Sequence, residues 1–346
     1  MSPRREIVSN EQTRAVDPVA HEVEERDETS LRPHALDDFI GQADLIEHLR
    51  ILLGAARARG HVVDHILFAG PPGLGKTSLA GIVASEVGVG LRVTSGPVLS
   101  RPGDLASILT DLSNDDVLFV DEIHRLPRAV EEVLYPAMED GRIDIVIGKG
   151  PTARSIRLEL PRFTLVGATT RIGLVAPPLR DRFGFIGRVD LYEPDELKAI
   201  VLRSAALLGV TIDDAGAAII AGRSRGTPRI ANRLLRRVRD FADVRGDGSV
   251  SEELANDALD LFGVDGLGLD KVDRMILDVL CRRFVGNPVG LTTLSQSIGE
   301  EPSTIEDAYE PFLVQQGLIL RTPRGRVGTD RAFAHLGLDR ETGTLL

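Results

Sequence analysis

Eight consecutive residues, Gly70-Pro71-Pro72-Gly73-Leu74-Gly75-Lys76-Thr77, fill every fixed position of the pattern G-x-x-x-x-G-K-[ST]. The chemistry of such a stretch is phosphate binding. Its glycines let successive backbone N–H groups turn inward onto phosphate oxygens, Lys76 reaches the β- and γ-phosphates, and the Thr77 hydroxyl holds Mg²⁺. A chain with 35 glycines can match this pattern by chance, so its partners decide the matter. Further on, the apolar run Val117-Leu118-Phe119-Val120 ends in Asp121-Glu122, the pattern of a Walker B motif. One carboxylate at a strand end can orient a Mg²⁺ shell, and a second beside it can polarise a water for attack on the γ-phosphate. A third run, Phe163-Thr164-Leu165-Val166-Gly167-Ala168, ends in Thr169-Thr170, whose hydroxyls could position the same water. Asp121 or Thr170 alone would read as a strand-end cap. In this order behind a phosphate loop they predict ATP hydrolysis.

The elements that must hold these residues are legible around them. Ile66-Leu67-Phe68-Ala69 reads as a buried strand, and Ser78 to Ala84 as a helix whose N-terminus is the loop itself. From Leu31 to Glu193 apolar strands alternate with helical patterns, which predicts an α/β domain with a parallel sheet covered by helices on both faces. Residues 1–30 are polar and acidic without apolar periodicity and read as a mobile tail. Pro194-Asp195-Glu196 marks a helix start, and helical patterning through Phe262 predicts a small helical domain over 194–264. The stretch from Gly263 to Asp270 carries three glycines and reads as a linker. It leads to a third unit, 265–346.

One segment breaks the strand and helix rhythm. Ile143, Ile145 and Ile147 alternate with other residues, Gly148-Lys149-Gly150-Pro151 supplies a loop, and Ile156, Leu158 and Leu160 alternate again, which predicts a β-hairpin over about 142–160. It is either an ordinary sheet edge or a protruding ribbon that offers an apolar face to a partner.

Arginines concentrate at three places. Arg180 and Arg182 in Pro178-Leu179-Arg180-Asp181-Arg182-Phe183 lie after the third strand, away from their own phosphate loop. They are surface partners of Asp181, or Arg182 is a finger inserted into an adjacent subunit's site to stabilise phosphoryl charge. In Gly226-Thr227-Pro228-Arg229, Thr227 suits an N-cap and Pro228 the first helical position. The helix that follows carries Arg233, Arg236, Arg237 and Arg239, either a solvated basic face or a support from which Arg229 reads the γ-phosphate. The last unit has the layout of a winged helix: helical patterns over 272–280, 291–298 and 305–316, then a ribbon from Leu318 to Val327. Arg321, Arg324 and Arg326 surround its Pro/Gly turn, where they either grip duplex phosphates or form a solvated basic hairpin. Aromatic residues that could stack on bases are scarce there, which disfavours single-strand reading.

Composition sets the outer bounds. At 346 residues the chain is long for one core and predicts two or three domains. A single cysteine, Cys281, excludes an intrachain disulfide and a cysteine-built zinc site, and packing within a helix is its expected role. There is no run of about 18 apolar residues and no signal-peptide pattern, so the expectation is a cytoplasmic protein without a membrane partner. The net charge of −11 argues against indiscriminate coating of nucleic acid, while the acidic stretch from Glu22 to Glu28 contrasts with the arginine clusters.

Taken together these segments resemble the RuvB family of AAA+ motors, from about Leu31 to Leu338. The resemblance is carried by the phosphate loop, Asp121-Glu122-Ile123-His124-Arg125-Leu126, Tyr135-Pro136-Ala137-Met138-Glu139-Asp140, Gly167-Ala168-Thr169-Thr170-Arg171, Leu179-Arg180-Asp181-Arg182-Phe183-Gly184, Gly226-Thr227-Pro228-Arg229-Ile230-Ala231-Asn232-Arg233 and Arg321-Thr322-Pro323-Arg324-Gly325-Arg326. No catalytic position departs from the family pattern. The resemblance implies a P-loop AAA+ domain, a lid and a winged-helix head, assembled as a homo-hexamer on double-stranded DNA at Holliday junctions with RuvA and RuvC as partners. It implies Lys76, Asp121, Glu122, Thr170 and a trans-acting Arg182 as catalytic groups, and Thr77 with Asp121 on Mg²⁺. Nucleotide contacts are implied at Gly70, Gly73, Gly75, Lys76, Thr77, Ser78, Glu139, Asp140, Gly141 and Arg182, with Leu31, Arg32 and Tyr192 on the adenine side and Arg229 as a second sensor. Ile156 and Leu158 are implied to dock on RuvA, and Arg321, Arg324 and Arg326 to touch DNA. Two other readings stay open. A protein unfoldase would present an aromatic pore-loop residue, and none is evident. A non-motor regulator that binds ATP structurally conflicts with intact Asp121, Glu122 and Arg182.

Overall fold

The computed structural model describes residues 30–147 and 154–345, with side chains described outside 145–155. The expected acidic tail up to residue 29 and the hairpin loop Gly148-Lys149-Gly150-Pro151 lie outside the described residues, as do the side chains of Ile145 and Ile147. Two compact units emerge, one ending at Glu196 and the other beginning at Leu197. Among the described residues no helix is long and apolar enough to cross a membrane.

The first unit is built on a five-stranded sheet. In chain order its elements are α1 (Ala43–Arg59), β1 (Ile66–Ala69), α2 (Lys76–Val87), β2 (Leu91–Ser95), α3 (Pro102–Thr110), β3 (Val117–Asp121), α4 (Arg128–Asp140), β4 (Arg142–Ile147), β5 (Arg154–Glu159), β6 (Thr164–Thr169), α5 (Pro177–Arg180) and β7 (Phe185–Arg188). The sheet order is β2-β3-β6-β1-β7, and every pairing in it is parallel. Strands β1 and β6 and the apolar part of β3 are buried throughout, which is why they read as unbroken apolar runs rather than alternating ones. On one face Leu67, Leu118, Val120 and Leu165 pack with Leu105 and Leu109 of α3 and Val130 and Leu134 of α4. Helix α2 packs on β3 and β6. The edge strand β2 gives no such run, because Arg92 interrupts it and Val93 is 60% exposed.

The inserted hairpin is a separate antiparallel ribbon, not an edge of the main sheet. Its register pairs Ile143 with Leu158 and Ile145 with Ile156. The root is anchored: Ile143 is buried, and Leu158 and Leu160 pack against the same core as α4. Ile156 is exposed.

In the second unit, α6 (Pro194–Leu208), α7 (Asp214–Gly222), α8 (Pro228–Arg245) and α9 (Glu252–Leu261) surround a short parallel pair, β8 (Thr211–Ile212) with β9 (Ser249–Val250). Asp213 caps α7 by accepting from the Gly216 N–H at 2.6 Å. Thr227 does sit at the N-cap of α8 with Pro228 next, but its hydroxyl makes no capping bond and donates to the Arg225 carbonyl at 3.2 Å instead. Ile230, Leu234, Leu235 and Val238 give α8 its buried stripe. Of the two readings of the arginine run, the solvated face does not hold for the five arginines from Arg229 to Arg239. Arg233 is buried, and Arg229, Arg236, Arg237 and Arg239 are half-buried.

The stretch 263–270 is packed rather than loose, which corrects the composition reading. Val264 and Leu269 are buried, the Arg223 Nη1 donates to the Val264 carbonyl at 2.8 Å, and Arg225 Nε donates to the Gly268 carbonyl at 2.7 Å. Gly268 has φ +78°, and a Cβ there would lie 2.5 Å from the Arg223 carbonyl oxygen. Its glycines thus permit close packing. Beyond it, Asp270 caps α10 (Lys271–Asp278) by accepting from the Val272 and Asp273 N–H groups. The helix runs on into a π-wound turn, Val279–Arg283, where burial pushes the Cys281 thiol up to about 12. Next come α11 (Leu291–Ile298) and α12 over 302–315, π-wound at Ile305–Tyr309. The antiparallel ribbon β10 (Ile319–Thr322) with β11 (Gly325–Gly328) and α13 (Asp330–Leu336) complete the winged helix.

Candidate functional site

The phosphate loop runs from the carboxyl end of β1 into α2. Gly70 is required by space, since a Cβ there would lie 2.1 Å from the Val189 carbonyl oxygen. Gly75 is required by conformation: it is the N-cap of α2 at φ +96°. Lys76 is 7% exposed, and its Nζ donates to the Gly70 and Pro71 carbonyls at 2.9 and 2.7 Å. The ammonium is therefore held within the loop it serves. Thr77 and Ser78 follow in the first turn of α2, half-buried at the positive end of the helix.

Parallel pairing brings the other groups to the same end of the sheet. The Gly70 N–H donates to the Thr169 carbonyl at 3.0 Å, joining the loop to the end of β6. Asp121 closes β3, and its Oδ1 accepts from the Glu122 N–H at 2.8 Å while its other oxygen has no partner among the described residues. Glu122 has φ +46°, a strained left-handed backbone, and its carboxylate pairs with Arg125 Nη1 at 2.9 Å. Thr169 is fully buried, and its hydroxyl oxygen accepts from the Arg171 N–H and lies 3.0 Å from His124 Nδ1. The Thr169 hydroxyl has a proton and a second lone pair left for that ring nitrogen, and the His124 tautomer sets which of the two groups donates. Burial holds the His124 pKa below its ordinary value, with Glu122 opposing and Arg171 adding to the effect. Thr170 stands one residue past β6 and is exposed. His124 was not singled out from the sequence. Its place two residues after the Asp121-Glu122 pair is the signal that could have found it.

A wall rises beside the loop. Tyr192 is buried with its hydroxyl donating to the Leu74 carbonyl at 3.3 Å, and burial raises its pKa well above the ordinary phenol value. Phe39, also missed, lies with its ring edge 3.4 Å from where a Gly75 Cβ would stand. Leu31 is buried and Arg32 half-buried.

Arg182 lies beyond α5. Its Nη2 pairs with Glu139 at 2.9 Å, not with the neighbouring Asp181, its Nη1 donates to the Pro178 carbonyl at 2.5 Å, and Cζ sits 4.7 Å from the centroid of the Tyr135 ring. Asp140 pairs with Arg142 at 3.0 Å, and Gly141 ends α4 at φ +63°. In the second unit Arg229 occupies the first turn of α8.

On the ribbon, Arg321 and Arg326 are directly paired across β10 and β11. Both point their Nε and Nη2 edges at one carboxylate, Glu310 of α12, with four N···O distances between 2.7 and 2.9 Å. Glu306, one turn earlier, lies 3.7 and 3.5 Å from them. Burial alone would raise the Glu310 pKa, but the two guanidiniums outweigh it and hold it below the ordinary value. Arg324 at the turn is exposed and makes no ion pair among the described residues. The site thus separates the three ribbon arginines, which the sequence treats alike.

The chain matches three successive families: the Holliday junction DNA helicase RuvB P-loop domain over 31–189, the RuvB AAA lid domain over 192–265 and the RuvB C-terminal winged helix domain over 266–337. It is 60% identical over 330 residues to the Holliday junction branch migration complex subunit RuvB of Rubrobacter xylanophilus, covering 95% of this chain and 92% of that one. The Nocardioides RuvB subunit is 61% identical over 311 residues, with 90% and 86% covered. Among solved structures, the Thermotoga maritima RuvB Holliday junction branch migration motor superposes with a TM-score of 0.79 at 48% identity, covering 90% of this chain and 99% of that one. An Aeropyrum pernix ORC2 structure, at 16% identity and a TM-score of 0.53, shares the fold alone. This chain belongs to the RuvB family.

Proposed function

We propose that the chain is an ATP-hydrolysing motor that drives branch migration of Holliday junctions in recombination and repair. It works in the cytoplasm as a six-membered ring on double-stranded DNA. The observation that carries this reading is the meeting of the phosphate loop, Asp121-Glu122 and Thr169-Thr170 at one end of a parallel sheet, in a chain matched along nearly its full length by RuvB subunits.

In this reading Lys76 exchanges its loop carbonyls for the β- and γ-phosphates, and Glu122 leaves Arg125 to accept a proton from the attacking water, which Thr170 orients. Leu31, Arg32 and Tyr192 flank the adenine. Gly70, Gly73, Gly75 and Ser78 line the phosphates, Arg229 senses the γ-phosphate, and Glu139, Asp140, Gly141 and Arg182 face the nucleotide of the adjacent subunit. Thr77 and Asp121 would hold Mg²⁺, which when bound offsets phosphate charge. Two protein ligands suit an ion that keeps several waters, and no group of three or more His, Cys, Asp or Glu is assembled among the described residues. RuvA docks on the ribbon of β4 and β5, where exposed Ile156 is the apolar contact and half-buried Leu158 its support, and RuvC joins the assembly at the junction. The test is ATP hydrolysis and junction unwinding with and without RuvA. Stimulation by four-way junction over linear duplex supports the reading, and stimulation by unfolded protein instead overturns it.

A further inference from the structure

Arg182 is the cation on which the proposed chemistry in trans depends, and its own subunit holds it from several sides. Glu139 takes Nη2 and the Pro178 carbonyl takes Nη1, while the Tyr135 ring lies under the guanidinium at 4.7 Å. The side chain is 22% exposed, and Nε is buried without a hydrogen-bond partner among the described residues. Tyr135 and Glu139 are four residues apart on α4, so they stand on one helical face. Glu131, a further turn back, accepts the Tyr135 hydroxyl proton at 3.3 Å.

The two contacts differ in what they do to the charge. A carboxylate neutralises the guanidinium and competes with an arriving phosphate for the same N–H groups. A π face attracts the cation without cancelling its charge or using its donors. Only the second can stay in place while the finger works. We propose that Tyr135 is a positioning residue for Arg182, its ring face ordering the guanidinium at the subunit boundary before the neighbour's γ-phosphate engages it. This rests on the reading of Arg182 as a finger supplied in trans.

The experiment compares wild type, Tyr135→Leu, Tyr135→Phe, Arg182→Ala and the Leu/Ala double variant in verified rings, measuring DNA-stimulated kcat and the KM for ATP. Tyr135→Leu is expected to lower kcat roughly two- to thirtyfold, the rate equivalent of a lost cation–π contact, with KM unchanged. Tyr135→Phe keeps the ring face and stays close to wild type. The double variant equals Arg182→Ala alone, because an absent finger cannot be mispositioned, whereas a merely structural loss would slow that background too. Further slowing in the double variant, or Tyr135→Phe as slow as Tyr135→Leu, overturns the proposal. If Arg182→Ala itself leaves turnover intact, the trans-finger reading fails and takes the proposal with it. If Arg182→Ala is slow and Tyr135→Leu is not, the proposal alone fails. Should Tyr135→Leu lower the melting temperature, Tyr135→Met, which is longer and more flexible at similar volume and also lacks a π face, carries the same comparison.

Discussion

Three ribbon arginines acting as independent phosphate anchors would contribute a salt slope of about −2.7 to DNA affinity, at roughly −0.9 per contact. The geometry argues for a smaller share. Arg321 and Arg326 face two carboxylates, Glu306 and Glu310, so that cluster is close to neutral, and Arg326 is only 15% exposed against a Glu310 that is 1% exposed. Arg324, at the tip, is exposed and has no carboxylate partner among the described residues. Arg324→Ala should therefore make the slope shallower by about 0.9 and leave thermal stability unchanged. Arg326→Ala should do the reverse. Removing one partner of a buried ion pair costs about 3–5 kcal/mol, and with Arg321 still in place the lower end, about 3 kcal/mol, applies. In a unit of this size that lowers the melting temperature by roughly 6–12 °C, at about 2–4 °C per kcal/mol. Fluorescence anisotropy of a labelled duplex over a salt series, paired with calorimetry of each variant, separates the two effects. If Arg326→Ala flattens the slope by a full contact and melts normally, the carboxylate clamp is no structural element and the reasoning from pairing fails.

Lys76→Ala should abolish ATP-driven work and weaken nucleotide binding, and near-normal turnover in the purified variant would remove the basis of the assignment. Glu122→Gln should bind ATP yet hydrolyse it slowly, checked by equilibrium binding beside single-turnover kinetics; a parallel fall in both would make Glu122 structural. Arg182→Ala should cost on the order of 10³–10⁵ in turnover, and mixing it with Lys76→Ala subunits should restore some activity, because one boundary then pairs an intact loop with an intact finger. His65 accepts the Leu165 N–H at Nδ1 (2.9 Å), lies 3.2 Å from the Met138 carbonyl at Nε2, and is held by burial below its ordinary 6.5. A histidine with a depressed folded pKa contributes stability that is intact above the unfolded value and lost as pH falls through the folded one, so denaturant midpoints should drop below about pH 6.5 in the wild type. The drop should be shallower in His65→Gln.

Much of the first unit was legible because its central strands are buried on both faces, and β1, β3 and β6 announce themselves as apolar runs. The edge strand β2 did not, since a strand with one open side needs no continuous apolar pattern and Arg92 fits there. The winged helix was legible as three helices and a ribbon. The stretch 263–270 was misread because glycine count signals flexibility by composition, whereas Gly268 is there so that the Arg223 backbone can approach. Composition cannot distinguish a glycine that loosens a chain from one that lets two segments touch.

The site divides along a related line. The motifs name charges, and motif spacing is local, so Lys76, Asp121 and Glu122 could be found by reading along the chain. What each charge touches is set by the fold. Arg326 meets Glu310 sixteen residues away, Arg225 meets Asp273 forty-eight away, and His124 meets Thr169 forty-five away. No periodicity connects such positions. The α8 arginines show the consequence: Arg229, Arg233, Arg236, Arg237 and Arg239 suggest a solvated face, yet Arg233 is buried and the other four are half-buried, because apolar residues flanking them draw that face inward, and only Arg245 in the last turn is exposed. A count of arginines overstates the positive charge a protein offers to DNA whenever buried carboxylates lie within reach. Arg324 is thus the ribbon arginine without a carboxylate partner among the described residues, and the sequence alone has no means of choosing it from its two neighbours.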